Sequence, residues 1–145
     1  LYRDYMLESL LRAEGDIVIV ADALWRDGEQ PEDGQARDLV VCDREYSTDY
    51  LVDGPVTLRR ANGDVARDDA TGEWIGLLKL SADGAAALSA ALEAMAGEDG
   101  FEQADMLALF NRLIADGQEI RVQYITGQWL DIDDMQDLAR ARNLL

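Results

Sequence analysis

The chain has 145 residues, 48% of them hydrophobic, enough for one core and one domain but too few for two ordinary domains. Thirteen Lys+Arg against thirty Asp+Glu give a formal net charge of −17 with no histidine, which argues against nucleic-acid binding and against an anionic membrane surface, since both need a basic face. No His and a single Cys (Cys42) exclude the usual zinc sites, Ser-His-Asp triads, Cys-His dyads and an internal disulfide.

Residues 2–14 carry Met6, Leu7, Leu10 and Leu11 at helical spacing, with Gly15 as terminator. Ile17-Val18-Ile19-Val20 follows as a strand buried on both faces. Residues 27–38 hold a Pro and two Gly and nothing apolar larger than Ala, which predicts a loop. Leu39-Val40-Val41-Cys42 predicts a second buried strand. Val56 to Arg60, then Asn62-Gly63, then Val65 predict a β-hairpin on a tight Asn-Gly turn.

Trp74 to Leu80 predicts a further strand, and Ser81 an N-cap for the helix that follows. That helix aligns Ala85, Leu88, Leu92 and Met95 and stops at Gly97. Another, over about 102–116, aligns Met106, Leu109, Phe110 and Leu113. Residues 120–125 alternate as a half-covered strand, and a last helix runs from about Asp134 to the end, acids first and Arg140 and Arg142 last. Helix–strand alternation predicts an α/β layered domain with a mostly parallel sheet and the hairpin added to it.

No stretch approaches the roughly 20 apolar residues that span a bilayer, and the lone Cys fits a reduced, cytoplasmic setting. The opening Leu1-Tyr2-Arg3-Asp4 has no initiator Met and no signal-peptide pattern, so the native polypeptide is expected to extend upstream. Carboxylates, hydroxyls, arginines and one lysine remain for chemistry, a set that points to Mg²⁺ assistance if the chain is catalytic. The excess of Asp over Glu and of Arg over Lys also reads simply as a solvated acidic surface.

In a parallel sheet, ligands bind beyond the carboxyl ends of the strands. Two such ends carry acids beside tryptophan: Val20-Ala21-Asp22-Ala23-Leu24-Trp25-Arg26, and Tyr124 through Trp129 to Asp131-Ile132-Asp133. In extended chain Asp131 and Asp133 project to one side, a clamp for a hard cation carrying nucleotide phosphates. On spacing alone Asp133 through Gln136 reads first as a capping box, and Asp22 equally as a turn cap. Glu73-Trp74 offers charge and a ring to an alkylammonium group, and Lys79, the only lysine, a point charge to a phosphate or phosphonate. An ordinary strand-end acid, a core tryptophan and an exposed lysine are the structural alternatives. There is no Gly-x-Gly-x-x-Gly and no Walker loop.

Three segments in order, Gly15 to Trp25, Gly72 to Ser81 and Gly127-Gln128-Trp129-Leu130-Asp131-Ile132-Asp133, give the chain a resemblance over nearly its whole length. It resembles the nucleotidyltransferase domain attached to phosphoenolpyruvate phosphomutases, and the phosphonate and phosphocholine cytidylyltransferases. The resemblance implies a Rossmann-like layered fold and Mg²⁺-dependent transfer from CTP to a small phosphonate or phosphocholine-like acceptor, with release of pyrophosphate. It implies that Asp131 and Asp133 carry the metal; on the chemistry of their side chains, Asp22, Trp25, Glu73 and Lys79 are expected to line the acceptor pocket. The family's glycine-rich nucleotide loop and first metal-binding Asp lie upstream of the helix that opens this chain. The chain is therefore similar to the C-terminal, acceptor-side half, with the N-terminal nucleotide-binding half missing, and alone is expected to be inactive and to bind CTP weakly. A fused phosphomutase domain or a homo-oligomer is the implied partner. The rival expectation is a non-catalytic acidic α/β module serving a neighbouring domain.

Overall fold

The computed structural model describes residues 1–27, 37–49, 54–61 and 65–130, together with 132, 135 and 139. In chain order they form α1 (Asp4–Arg12), β1 (Ile17–Asp22), β2 (Leu39–Cys42), β3 (Val56–Ala61), β4 (Gly72–Leu80), α2 (Ala82–Met95), a 3₁₀ turn (Phe101–Gln103), α3 (Met106–Ala115) and β5 (Ile120–Ile125). Both longer helices start on capping side chains. Ser81 Oγ accepts from the Gly84 amide at 3.1 Å and Asp105 Oδ1 from the Ala108 amide at 2.8 Å. The cap at Asp105 is why the helix expected over 102–116 is a short 3₁₀ turn followed by α3.

The five strands close into a barrel in the order β1-β4-β2-β3-β5. Only β1 and β5 are parallel, in register from Ile17↔Ile120 to Asp22↔Ile125. The other four neighbour pairs are antiparallel. This corrects both the layered, mostly parallel sheet with an added hairpin that helix–strand alternation predicts and the Rossmann-like fold that the resemblance implies. Parallel neighbours need a crossover, usually a helix, and no helix is described between β2 and β3 or between β3 and β4. β1 is buried on both faces because closure covers one and α1 the other. Ile17, Ile19 and Ala21 join the large cluster with Phe110, Leu113 and Met95, while Val18 and Val20 meet Met6 and Leu10 of α1.

The expected hairpin through Val65 does not form. β3 pairs with β2 (Val40↔Ala61) and with β5 (Val56↔Val122), and Val65 packs into a separate small cluster with Trp25, Leu39 and Ala70. Asn62-Gly63 and, apart from Met135 and Ala139, the expected final helix lie outside the described residues. The apolar stripe of α1 divides: Met6 and Leu10 are buried, whereas Leu7 and Leu11 are exposed. Among the described residues no helix is long and apolar enough to cross a membrane.

Candidate functional site at the barrel rim

Because β1 and β5 run in the same direction, their carboxyl ends share one rim. β4 runs the opposite way and delivers its first residues there, so Asp22 stands opposite Glu73, and Glu73 opposite Leu39. Asp22 is the one charged residue among the buried ones described, at 6% exposure. Its Oδ1 accepts from the amides of Leu24 at 2.9 Å and Gly127 at 3.0 Å, and its Oδ2 from Trp129 Nε1 at 2.9 Å. Three donors on one carboxylate offset the cost of burying the charge. The carboxylate is thus a turn cap, as its position at the end of β1 allows, and also a clasp onto the segment after β5. Gly127 and Gln128 both have positive φ, 71° and 67°, and this reversal turns the indole of Trp129 back toward Asp22. A left-handed non-glycine residue costs roughly 1–2 kcal/mol, which the buried clasp offsets.

Glu73 pairs with Arg37 at 2.6 Å, with both side chains nearly enclosed at 14% and 13% exposure. Burial pushes the Glu73 carboxyl above its ordinary range, further than the Arg37 charge and hydrogen bond pull it down, and Asp22 and Asp38 push it the same way. The neighbouring Trp74 faces the other side of the strand. It packs edge-on against Phe110, centroids 5.1 Å apart, and donates from Nε1 to the Leu77 carbonyl. Glu73 and Trp74 therefore do not form the joint cradle that their adjacency suggests.

Trp25 is 2% exposed and forms the middle of its cluster. The guanidinium carbons of Arg26, Arg67 and Arg37 lie 5.2, 5.3 and 5.8 Å from its ring centroid, within cation–π range. Lys79 is not at this rim. It stands opposite Val18 near the start of β1, roughly 20 Å along β4 from Glu73 at about 3.3 Å per residue, and its Nζ donates to the Ala13 carbonyl.

Asp131 and Asp133 lie outside the described residues. As a donor set, two carboxylates one residue apart suit a hard divalent cation. Among the described residues no group of three His, Cys, Asp or Glu could hold a metal, and both oxygens of Asp22 are already engaged. A hollow of about 200 Å³, lined by Arg44, Tyr46, Ser47, Val56 and Tyr124 among others, opens between β3, β5 and the segment after β2. Tyr124 closes its inner side, donating to the Arg44 carbonyl at 2.9 Å.

The arginines were not legible as site residues. Arg37 sits in a polar stretch of mixed charge with no periodicity, and only the adjacency of Arg26 to Trp25 hinted at a ring contact.

The Glu73 carboxyl has a consequence for pH dependence. Its folded value is raised, so between the unfolded and folded values the native state holds more protons, and stability rises as pH falls through that window. Glu73→Gln removes this contribution. Urea unfolding followed from neutral pH toward the ordinary glutamate range should show a smaller gain for the variant than for the wild type. Parallel profiles would mean that Arg37 cancels the burial cost.

No protein-family model matches the chain, and no curated protein matches it either.

Proposed function

We propose that this chain is the acceptor- and metal-side portion of a nucleotidyltransferase that moves a cytidylyl group from CTP to a small phosphonate or phosphate acceptor. An acceptor oxygen attacks the α-phosphorus, the α–β bridging bond breaks, and pyrophosphate leaves. The observation that carries the proposal is the Asp22 clasp. Asp22, Glu73 and the Gly127–Trp129 turn come from the three segments that bear the resemblance, and they meet at one rim.

Asp22 holds the acceptor side rigid by fixing the two loops against each other, and rigid positioning supplies much of the rate in such transfers. Glu73, oriented by Arg37, gives the rim an anionic edge for an acceptor's ammonium end. Trp25 acts from beneath as a packed support, and Lys79, at the far end of β4, has no part in the acceptor pocket. Asp131 and Asp133, just beyond the clasped Trp129, would hold Mg²⁺, which when bound neutralises charge developing on the α-phosphate. A cytoplasmic location and a fused phosphomutase domain or a second copy of the chain belong to the same proposal.

The test is pyrophosphate release by the native gene product, with each nucleoside triphosphate crossed against 2-aminoethylphosphonate, 2-hydroxyethylphosphonate and phosphocholine. The expected result is release with CTP and one acceptor that needs Mg²⁺ and is lost in Asp131→Asn, which keeps side-chain shape but removes a charged ligand. No release with any pair, or a fully active Asp131→Asn protein, would overturn the proposal and favour a non-catalytic acidic module.

A further inference from the structure

We infer that Arg26 and Arg67, over the buried ring of Trp25 and beside the Arg37–Glu73 pair, form an anion site for the phosphonate or phosphate-monoester group of a small substrate. The inference rests on the proposed transfer reaction for the identity of the substrate, but not for the existence of the site.

Three guanidinium groups crowd around one indole in a chain that carries −17 overall. The Arg37 charge is answered by Glu73 at 2.6 Å, so a dianion would take its charge-assisted contacts from the two exposed arginines, Arg26 and Arg67. Arg26 is also held in place before any ligand arrives. Its Nη2 donates to the carbonyls of Arg67 at 2.7 Å, Ala70 at 2.9 Å and Asp68 at 3.3 Å. All three bonds use one nitrogen, so Nε and Nη1 keep their donors without a partner among the described residues. A side chain already ordered loses less entropy on binding, and guanidinium donors match the oxygens of a phosphoryl group.

Arg26 and Arg67 are both exposed, whereas Arg37 is half-buried and Trp25 enclosed, so the approach is from the Arg26 and Arg67 side. Arg37, tied to Glu73 and to the Trp25 carbonyl at 3.1 Å, contributes field and joins this site to the rim. A substrate with an anionic head on Arg26 and an ammonium tail toward Glu73 would lie across both, which favours an aminoalkyl phosphonate over a simple phosphate.

The test is titration of the 145-residue chain at fixed ionic strength with methylphosphonate, 2-aminoethylphosphonate, inorganic phosphate and the monoanion methanesulfonate, read from the Trp25 indole resonance by NMR. The expected result is a saturable shift with the dianions, tightest for 2-aminoethylphosphonate and weakest for methanesulfonate. Arg67→Gln should weaken the phosphonate by about tenfold or more, the effect of one lost charge-assisted contact. Arg26→Lys, which keeps charge but loses the fork, should weaken it similarly while the rest of the spectrum stays native. Equal shifts for all four anions, or affinity unchanged in Arg67→Gln with the fold intact, would overturn the inference. Saturable phosphonate binding without pyrophosphate release would leave the site standing and remove the transfer reaction. Release with an acceptor KM unchanged in Arg67→Gln would do the opposite.

Discussion

Gly84→Ala should destabilise the chain by about 1–3 kcal/mol, although alanine is the better helix former by about 1 kcal/mol. Gly84 lies in the first turn of α2, and a Cβ placed there would stand 2.1 Å from the carbonyl oxygen of Asp16 and 2.8 Å from its carbon. The obstacle is backbone, which cannot rotate away. Nor can the helix retreat cheaply, because the Ser81 amide donates to that same carbonyl at 2.9 Å and Ser81 Oγ to Asp16 Oδ1 at 2.6 Å. Overpacking costs about 1–3 kcal/mol, and loosening either Ser81 bond adds about 1 kcal/mol. The two together outweigh propensity. Gly97→Ala is the control: its nearest neighbour would be the Ala94 carbonyl at 3.7 Å, and its effect should stay within about 0.5 kcal/mol. Urea denaturation of the two variants decides the matter, and equal stabilities would mean that α2 is not seated on Asp16 as described.

Asp22→Asn should cost about 2–4 kcal/mol. The amide keeps the shape of the carboxylate but turns one acceptor into a donor. Whichever way it rotates, its NH₂ meets either the Trp129 indole N–H or the amides of Leu24 and Gly127. The remaining oxygen makes neutral bonds in place of charge-assisted ones, at roughly half their strength. Trp129→Phe removes only the indole contact and should cost less. Chemical denaturation with tryptophan emission as the probe separates the two, and an Asp22→Asn protein as stable as wild type would mean that the clasp does not hold the rim.

The strands Ile17–Val20, Leu39–Cys42 and Ile120–Ile125 and the cap at Ser81 were legible because each depends on nearest neighbours in sequence. Their arrangement was not. A strand buried on both faces has the same composition in a layered parallel sheet and in a closed barrel, and β1 does not reveal whether helices or closure cover it. The rim was half legible. Asp22 ends a strand, and strand ends converge, so its place follows from local pattern. Arg37 reaches Glu73 from a stretch with no pattern at all. Lys79 is singular in composition, which says nothing about where it sits. Glu73-Trp74 was misread because adjacency in a strand separates side chains rather than joining them.

The parallel pairing of β1 with β5 sets how the barrel meets a pulling force. A load applied between the two ends of the chain enters β1 at its amino end and β5 at its carboxyl end, so it draws the strands past each other along their length. The hydrogen bonds from Ile17↔Ile120 to Asp22↔Ile125 are then loaded together rather than opened one at a time. The β2–β3 ladder, pulled from adjacent ends, would peel instead. Among the described strands this seam is thus the one loaded in shear, and the Gly127–Trp129 clasp on Asp22 lies on the path by which that load reaches β5.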